Sequence, residues 1–407
     1  MIKHKSWKIF ESPERDTNRV APIAKKRTRH HNIARVSILA IVAMQLIRSI
    51  NQWDDVDNFT RSYWGVNYSY GFVRRGLGGE LLSTVCNPPI SINCVDAAVL
   101  SASILPLICL VTLVMLLLAF NSPPSILLAA AISSSPFGMT YFASQNRPEQ
   151  FGLIVLFILG CLVTILRSVP IWTCGILGLC FAFSALIHES VALIYTPVAV
   201  LLVSVTASSA RRQLSSMLAV GTPSILAITS QVFFGSIDQS QVERFTMTVP
   251  LQIRADFRGD FSDFLQADSG DSMGLVLALG WTRIAVMLVV IFSLSVPIFA
   301  ALHAYKECAV LRRAWGDERI VASRMALIGL ILSISALFTT GADWFRWVAQ
   351  LQTVWLVCCA LRILRNPANR TSNESSIKIL PLILALAFIP PLPPLFLGPE
   401  SFRLGLL

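Results

Sequence analysis

The sequence predicts an all-α polytopic membrane protein with 10 or 11 transmembrane helices, and two observations carry this prediction. Of the 407 residues, 54% are hydrophobic and only 14% are charged, whereas soluble domains carry about 25% charged residues. The apolar residues are gathered in runs that approach or exceed the roughly 20 residues needed to cross a bilayer. This composition excludes a disordered protein, a coiled coil and a small disulfide scaffold.

Eleven apolar runs follow one another along the chain. They cover residues 33–51, 97–120, 125–141, 151–168, 171–187, 190–208, 215–236, 274–304, 323–341, 346–364 and 378–397. The stretch 171–206 is too long for one crossing at a rise of about 1.5 Å per residue, so we divide it at His188-Glu189. The last run contains four prolines between positions 390 and 394. Because that run either enters or crosses the membrane, the predicted number of spans is ten or eleven.

The basic residues set the expected orientation. With a cytoplasmic N-terminus and alternating sides, the cytoplasmic face collects 22 of the 33 Lys and Arg residues and 7 of the 23 Asp and Glu residues. The cytoplasmic face then carries a net charge of +15 and the outer face a net charge of −5, as the positive-inside rule requires. We therefore expect a protein of the cell (inner) membrane whose working face is outside. The net charge of +10 reports topology and gives no reason to expect a nucleic-acid partner.

The chain divides into a basic cytoplasmic arm at 1–32, a transmembrane domain at 33–397 and a C-terminal tail at 398–407. No small-residue cleavage site follows the first apolar run, so we interpret it as a signal anchor. Two long outer loops, at about 52–96 and 237–273, hold most of the extramembrane mass. The second of these loops is rich in charge and could bind an acceptor, but an exposed, flexible loop is the favoured interpretation.

Cys86 and Cys94 differ from the other cysteines because both lie in the first outer loop, eight residues apart. A disulfide would suit an oxidising face, and two free thiols fit the sequence equally well. The chain contains no CxxC pair and no HExxH motif that would indicate a zinc site.

Three brief outer connections each place an acidic residue beside a basic one. Charges near membrane depth are costly and often functional, so three such sites on one face predict a shared polar cavity that opens outward. Each site also has a structural interpretation: Glu149 would favour the positive end of a helix dipole, and Asp343 would cap a helix with Arg346 as its ion-pair partner. The three sites are Arg147 with Glu149, His188 with Glu189, and Asp343 with Arg346.

The first outer loop begins with the acidic pair Asp54-Asp55 and continues to a glycine-rich segment that opens with Arg74-Arg75. Glycines allow close backbone approach, and paired arginines are suited to phosphate through charge-assisted hydrogen bonds. Snorkelling to lipid headgroups is the alternative for Arg74 and Arg75. For the acidic pair the alternative is a solvated cap on the first span.

These residue types fit sugar transfer from a polyprenyl phosphate, in which a carboxylate deprotonates the acceptor hydroxyl and cations stabilise the phosphate leaving group. Asp54 or Asp55, at the membrane boundary, is the candidate base. His188 and Glu189 are suited to orienting the acceptor or, with an aspartate, to holding a divalent cation, and the sequence implies no further cofactor. The candidate substrate-binding and phosphate-binding residues are Arg74, Arg75, Arg147, Glu149, His188, Glu189, Asp343 and Arg346.

This layout resembles the GT-C class of integral-membrane glycosyltransferases. The likeness rests on the cytoplasmic N-terminus, ten or more spans, and the pair Asp54-Asp55 opening a long outer loop with an interfacial helix. It implies a polyprenyl-phosphate sugar donor, a glycan or lipid-linked acceptor, and Asp54 or Asp55 as the base. The arginine roles are inferred from the residues alone. Some members carry a large soluble C-terminal domain, whereas this sequence ends about ten residues after its last apolar run, which favours a smaller transferase.

Three alternatives stand beside sugar transfer by a small enzyme. One is a polymerase of polysaccharide repeats, and another is a transporter or flippase for an anionic lipid or solute. The third is a non-catalytic membrane assembly partner, which the acid–base sites on the outer face make less attractive. Transporters often show internal repeats and interrupted helices with charges near mid-membrane. The sequence shows no convincing repeat, and its unusual charges lie at span ends, which favours chemistry at the outer surface.

Overall fold

The computed structural model describes residues 17–51, 56–86, 90–120, 122–166, 169–207, 209–257, 265–266, 274, 280–304, 321–339, 344–365 and 380–388. Over these residues the regular secondary structure is helical and includes no strand. The α-helices are α1 (Thr17–Asn51), α2 (Asn58–Ser62), α3 (Gly76–Cys86), α4 (Ile92–Phe120), α5 (Pro123–Ser134), α6 (Met139–Ser144), α7 (Phe151–Ile165), α8 (Ile171–Ile187), α9 (Ser190–Thr206), α10 (Ala210–Phe234), α11 (Gln239–Thr248), α12 (Arg254–Asp256), α13 (Gly280–Ala304), α14 (Val321–Thr339), α15 (Trp344–Arg365) and α16 (Leu380–Ala385). Short 3₁₀ turns occupy Pro148–Gln150, Leu251–Ile253 and Leu386–Phe388.

The chain is an all-α polytopic membrane protein, as the sequence predicts. Within the described ranges, six helical stretches are long and apolar enough to cross a membrane: His31–Asn51, Ile92–Phe120, Pro123–Ser144, Pro148–Ile165, Ala210–Phe234 and Trp344–Arg365. Four shorter apolar helices are Ile171–Ile187, Ser190–Thr206, Gly280–Val296 and Arg324–Thr339. Each of these ten stretches falls on one predicted run. The four prolines of the last run lie outside the described residues.

Three predicted features of the chain can be located in the structure. The division at His188-Glu189 is confirmed, because α8 ends at Ile187 and α9 begins at Ser190. Helix α1 begins at Thr17, within the segment 1–32 expected as the cytoplasmic arm, and continues into the first span. The outer segment predicted as a short interfacial helix contains α3, which begins at Gly76.

The run 125–141 lies within one candidate span, as expected, but this span is not one continuous helix. Helix α5 ends at Ser134, and Ser135 takes an extended conformation with ψ 134°. The cause is Pro136, whose ring disfavours the helical conformation of the preceding residue. The chain becomes helical again only at Met139, the start of α6.

Helix α5 lies at the centre of the bundle. All twelve of its residues are buried, and it packs against α1, α4, α15 and α16. Around it, α8 packs closely on α10, and α9 packs on α7, α10 and α14. The close approach of α8 to α10 depends on Gly178, because a β-carbon there would collide with the backbone of Ala219 and Val220.

The two long loops pack together into one extramembrane unit, which we call the cap (residues 56–86 and 237–257). Apolar residues spaced along α11, such as Val242 and Phe245, form a face that is buried against the first loop in a second hydrophobic core. Polar contacts join the two loops, since Gln241 Nε2 donates to the Tyr70 carbonyl at 2.9 Å. The interpretation of the second loop as exposed and flexible is therefore wrong for residues 237–257.

A disulfide ties the cap to the membrane helices. Cys86, at the end of α3, is bonded to Cys94, in the first turn of α4. The structure thus answers the question that the sequence left open between a bridge and two free thiols. The bridge fixes the end of α3 beside the start of a long apolar helix.

Candidate functional site

Several helix ends meet beneath the cap, and each brings a charged side chain to the same place. The turn Pro148–Gln150, which leads into α7, contacts α4, α8 and α9, while α3 contacts α8. The start of α15 carries another arginine. The structure brings together six of the predicted site residues, which we call the arginine cluster: Arg75, Arg147, Glu149, His188, Glu189 and Arg346.

Glu149 lies at the centre of this cluster and is fully buried. Its Oε1 accepts from Gln350 Nε2 at 3.2 Å and lies 3.3 Å from Arg346 Nη1. Its Oε2 lies 3.5 Å from His188 Nε2. Glu149 does occupy the first turn of a helix, but these contacts give it a role beyond a favourable position in the helix dipole.

Arg75 and Glu189 form an interior ion pair. Arg75 Nε donates to Glu189 Oε2 at 2.5 Å, and Arg75 Nη2 donates to Oε1. Arg75 is 3% exposed, so it does not snorkel to lipid headgroups. Desolvation is the largest single effect on Glu189 and opposes its ionisation, but the charge and hydrogen bonds of Arg75 and the other nearby charges together hold the pKa of this carboxyl well below its usual range.

The backbone of Arg75 adopts a left-handed conformation with φ 65°. Residues other than glycine take this conformation rarely, and they do so preferentially at functional sites. Gly76 follows at once, and its lack of a side chain makes room for the ring of Tyr68. The glycine at this position thus allows close packing inside the cap.

His188 is held as a neutral imidazole in the turn between α8 and α9. Burial, reinforced by the positive charge of Arg75, lowers the pKa of His188 to about 3. The Ser190 backbone N–H donates to Nδ1 at 3.4 Å, which places the ring proton on Nε2, on the side of Glu149. His188 therefore adds no positive charge to the cluster near neutral pH.

Arg147 differs from the other two arginines of the cluster. Its guanidinium lies over two rings of the cap, 5.5 Å from the centroid of Phe59 and 5.6 Å from that of Tyr63. It is 3% exposed, and among the described residues its Nη1 has no hydrogen-bond partner and its side chain forms no ion pair. The ring of Tyr63 is shared, since Arg75 approaches it to 4.9 Å.

Among the described residues, the arginine cluster has more cationic groups than anionic ones. Within the part of the chain that the structure describes, three guanidinium groups face two carboxylates and one neutral imidazole. A buried cation without an anionic partner is costly. Such a site is suited to binding an anion, and planar guanidinium groups match the oxygens of a phosphate.

Four predicted site residues are not members of the arginine cluster, although Arg74 interacts electrostatically with Glu189. Asp54, Asp55 and Asp343 lie outside the described residues. Arg74 lies beside the cluster, but its Nη2 reaches toward the Leu265 carbonyl at 3.5 Å. No group of three His, Cys, Asp or Glu side chains suited to a metal ion occurs within the described ranges; the aspartates expected to join His188 and Glu189 at a cation are among the residues outside them.

Two tryptophans stand at the start of α15, where such residues often lie at a membrane interface. Trp344 and Trp347 are both buried in the protein. Both rings pack on Phe338 of α14, with centroid distances of 5.6 Å. This end of α15 is thus largely enclosed by protein, and the Arg346 side chain is 14% exposed.

Sequence reasoning missed Tyr63 and Gln350. Gln350 follows Arg346 by four residues, so the two side chains share one face of α15. The sequence signal that identifies Gln350 is its position as a polar residue on the same face as Arg346, in an otherwise apolar helix. Tyr63 stood among several aromatic residues in the first loop, and nothing in the sequence separates it from its neighbours.

Comparison with known families places the chain among membrane proteins. A family model described as "Uncharacterised membrane protein Rv1490" matches residues 33–254. The chain belongs to this family. The matched range includes most of the first span, the cap as far as Arg254 and every residue of the arginine cluster except Arg346.

Similar proteins come from mycobacteria. The "Uncharacterized protein Rv1490" of Mycobacterium tuberculosis (strain ATCC 25618 / H37Rv) is 25% identical over 364 residues, which cover 81% of this chain and 82% of the relative. The "Uncharacterized protein Mb1527" of Mycobacterium bovis shows the same identity and coverage. No solved structure matches the chain.

Proposed function

We propose that this membrane protein is a glycosyltransferase that takes a sugar from a polyprenyl-phosphate-linked donor and transfers it to a glycan or lipid-linked acceptor at the outer face. The excess of cationic groups over anionic ones among the described residues of the arginine cluster is the observation that carries this proposal. A phosphate attached to a lipid would meet the cluster at the end of the membrane helices. The resemblance of the layout to the GT-C class supports the choice of a sugar donor.

Arg147 is the principal phosphate ligand in this proposal, because no carboxylate among the described residues pairs with it. Arg75 and Arg346 are held by Glu189 and Glu149, so their charges are fixed in place before the donor arrives. Fixed cations stabilise the negative charge that develops on a leaving phosphate without reorganisation during the reaction.

The catalytic base of the proposed reaction is Asp54 or Asp55. The carboxylate takes the proton of the acceptor hydroxyl, and the acceptor oxygen attacks the anomeric carbon. The bond between that carbon and the phosphate oxygen breaks, and the polyprenyl phosphate leaves with the electron pair. Asp55 precedes Phe59 by four residues in the chain, and Phe59 packs on Arg147, which supports a base close to the phosphate.

Replacement of Arg147 tests the phosphate role. Purified Arg147→Ala protein should bind a long-chain polyprenyl phosphate at least tenfold more weakly than the wild type, because a hydrogen bond to a charged group contributes about 1.5–3 kcal/mol. Binding can be measured by native mass spectrometry in detergent. Arg211→Ala is the matched control, since Arg211 is exposed at the opposite end of α10. Equal affinity of the two variants would contradict the proposal.

Replacement of each aspartate tests the base. Asp54→Asn or Asp55→Asn should reduce sugar transfer in membranes by about 100-fold or more, the usual contribution of a general base. Expression and unfolding temperature serve as controls for folding. The assignment is lost if both variants retain full transfer activity.

A transporter or flippase for an anionic lipid remains the second candidate, and the break between α5 and α6 favours it. Non-helical backbone at membrane depth occurs where protein or a cavity surrounds it, as in many transporters. Movement of a polyprenyl phosphate across proteoliposomes, without any covalent product, would select this function over sugar transfer.

A further inference from the structure

Where the arginine cluster adjoins α9 and α15, several buried polar atoms have no hydrogen-bond partner among the described residues. Their side chains are at most 2% exposed. Unpaired buried polar atoms are rare because each loses its hydration without compensation. Five of them lie in one neighbourhood; Glu149 Oε2 and His188 Nε2 face each other at 3.5 Å, and the other three indicate a missing partner. The atoms are the hydroxyl of Tyr195, Oε1 of Gln350, Oε1 of Gln150, Oε2 of Glu149 and Nε2 of His188.

Described contacts hold these groups together. Gln350 Nε2 lies 3.2 Å from Glu149 Oε1 and 3.4 Å from the hydroxyl of Tyr141. Tyr195 interacts electrostatically with both Tyr141 and Glu149. Its ring lies against Gly152 in the first turn of α7, where any side chain would collide with it. The packing of its ring thus holds the Tyr195 hydroxyl within electrostatic range of the Glu149 carboxylate.

The donors and acceptors define the chemistry of the missing partner. Three of the unpaired atoms are acceptor oxygens, on Glu149, Gln150 and Gln350, and two are donors, on Tyr195 and His188. A phosphate accepts hydrogen bonds only, so the three oxygens would repel it. A hydroxyl group both donates and accepts. The site therefore suits a neutral group with several hydroxyls, in contrast to the cationic side of the cluster.

We infer that Tyr195, Gln350 and Glu149 form a subsite for the hydroxyl groups of the sugar that the donor carries. The inference rests on the proposed function. It orients the donor, with the phosphate at Arg147 and the sugar toward Tyr195 and Gln350. Tyr195 and Gln350 are specificity-determining residues in this arrangement, since they contact the sugar and leave the lipid phosphate untouched.

Two lipid probes separate the sugar subsite from the phosphate site. Purified protein is titrated with a polyprenyl phosphate and with polyprenyl phosphohexoses that bear glucose or mannose. The wild type should bind at least one sugar-bearing lipid more tightly than the sugar-free lipid. Tyr195→Phe should reduce that preference about 3- to 10-fold, the effect of one lost hydrogen bond, and should leave the affinity for the sugar-free lipid unchanged.

The second variant, Gln350→Met, should show the same loss of preference for the sugar-bearing lipid. It shows whether the effect of Tyr195→Phe comes from the sugar subsite or from a defect of that variant alone. Tyr70→Phe is the matched control, because Tyr70 packs on Phe245 in the cap; it should keep the wild-type preference. Unfolding temperatures confirm that each variant is folded. Arg147→Ala should weaken binding of both lipids equally.

The outcomes distinguish the two ideas. If both site variants keep the wild-type preference, water satisfies the buried atoms, and the sugar subsite is refuted while the proposed function stands. A wild type that binds the two lipids equally also refutes the subsite. A wild type that binds neither lipid overturns the proposed function and this inference together.

Discussion

Two arginine–carboxylate pairs with the same geometry lie in contrasting parts of the molecule. Arg75 with Glu189 and Arg61 with Asp96 each use Nε and one terminal nitrogen against two carboxylate oxygens. The first pair is enclosed, with side chains 3% and 23% exposed, and the second lies at the edge of the cap, with 19% and 38%. An ion pair by itself therefore does not identify a site.

The surroundings of the two pairs make the difference. Arg75 shares the ring of Tyr63 with Arg147, a buried cation that no described carboxylate pairs with. Arg61 instead donates to the nearby Asn58 side chain at 3.1 Å and joins α2 to α4. The described cation beside the buried pair is the feature on which the proposed binding site rests, whereas the solvated pair joins two helices of the scaffold.

The largest expected effect comes from breaking the enclosed pair. Arg75→Met should lower the free energy of unfolding by about 3 kcal/mol, at the low end of the usual 3–5 kcal/mol because Glu189 keeps some contact with water. Thermal unfolding in detergent measures the change. The double variant Arg75→Met/Glu189→Gln should recover part of the lost free energy of unfolding. If Arg75→Met alone were as stable as the wild type, the enclosed pair would not differ from the solvated one.

A smaller effect is expected from pH, through His188. This side chain has a pKa of about 3 in the folded protein and about 6.5 when unfolded, so below pH 6.5 the unfolded state binds the additional proton. The free energy of unfolding should then fall by about 1.4 kcal/mol per pH unit as the pH drops from 6.5 toward 5. Unfolding temperatures across this range should show a shallower slope for His188→Gln. An unchanged slope would mean that His188 is not held neutral.

The smallest effect is expected from the solvated pair. Arg61→Met should lower the free energy of unfolding by less than about 1 kcal/mol, because exposed ion pairs gain little and are screened by salt. The same thermal measurement applies, repeated at high salt, where the difference from wild type should shrink. A loss as large as that of Arg75→Met would show that burial does not separate the two pairs.

The fold class and most helices could be predicted from the sequence, because apolar runs and clusters of charge can be recognised in each segment of the chain by itself. The break between α5 and α6 was also readable, since Pro136 stands in the middle of the predicted run. The packing of α11 onto the first loop was not, because its apolar face gives no information about which surface covers it.

Within the candidate site, the sequence located each acid–base turn but could not assign partners. Arg346 was expected beside Asp343, and the structure places it 3.3 Å from Glu149, nearly two hundred residues away. Arg75 and Glu189 likewise meet across the fold. Such pairings depend on how helix ends assemble, which no local pattern specifies. The function of the site stays a proposal that the experiments above test.

The complete burial of α5 has a consequence for how the protein tolerates change. Its three consecutive alanines, 129–131, have no exposed surface, so an added methylene there has no lipid or water to displace and must push against a neighbouring helix. Ser134 donates to the carbonyl of Ile383 at 2.8 Å, which ties this helix to the C-terminal part of the chain. The twelve residues between Pro123 and Ser134 should thus be among the least variable in volume across related sequences.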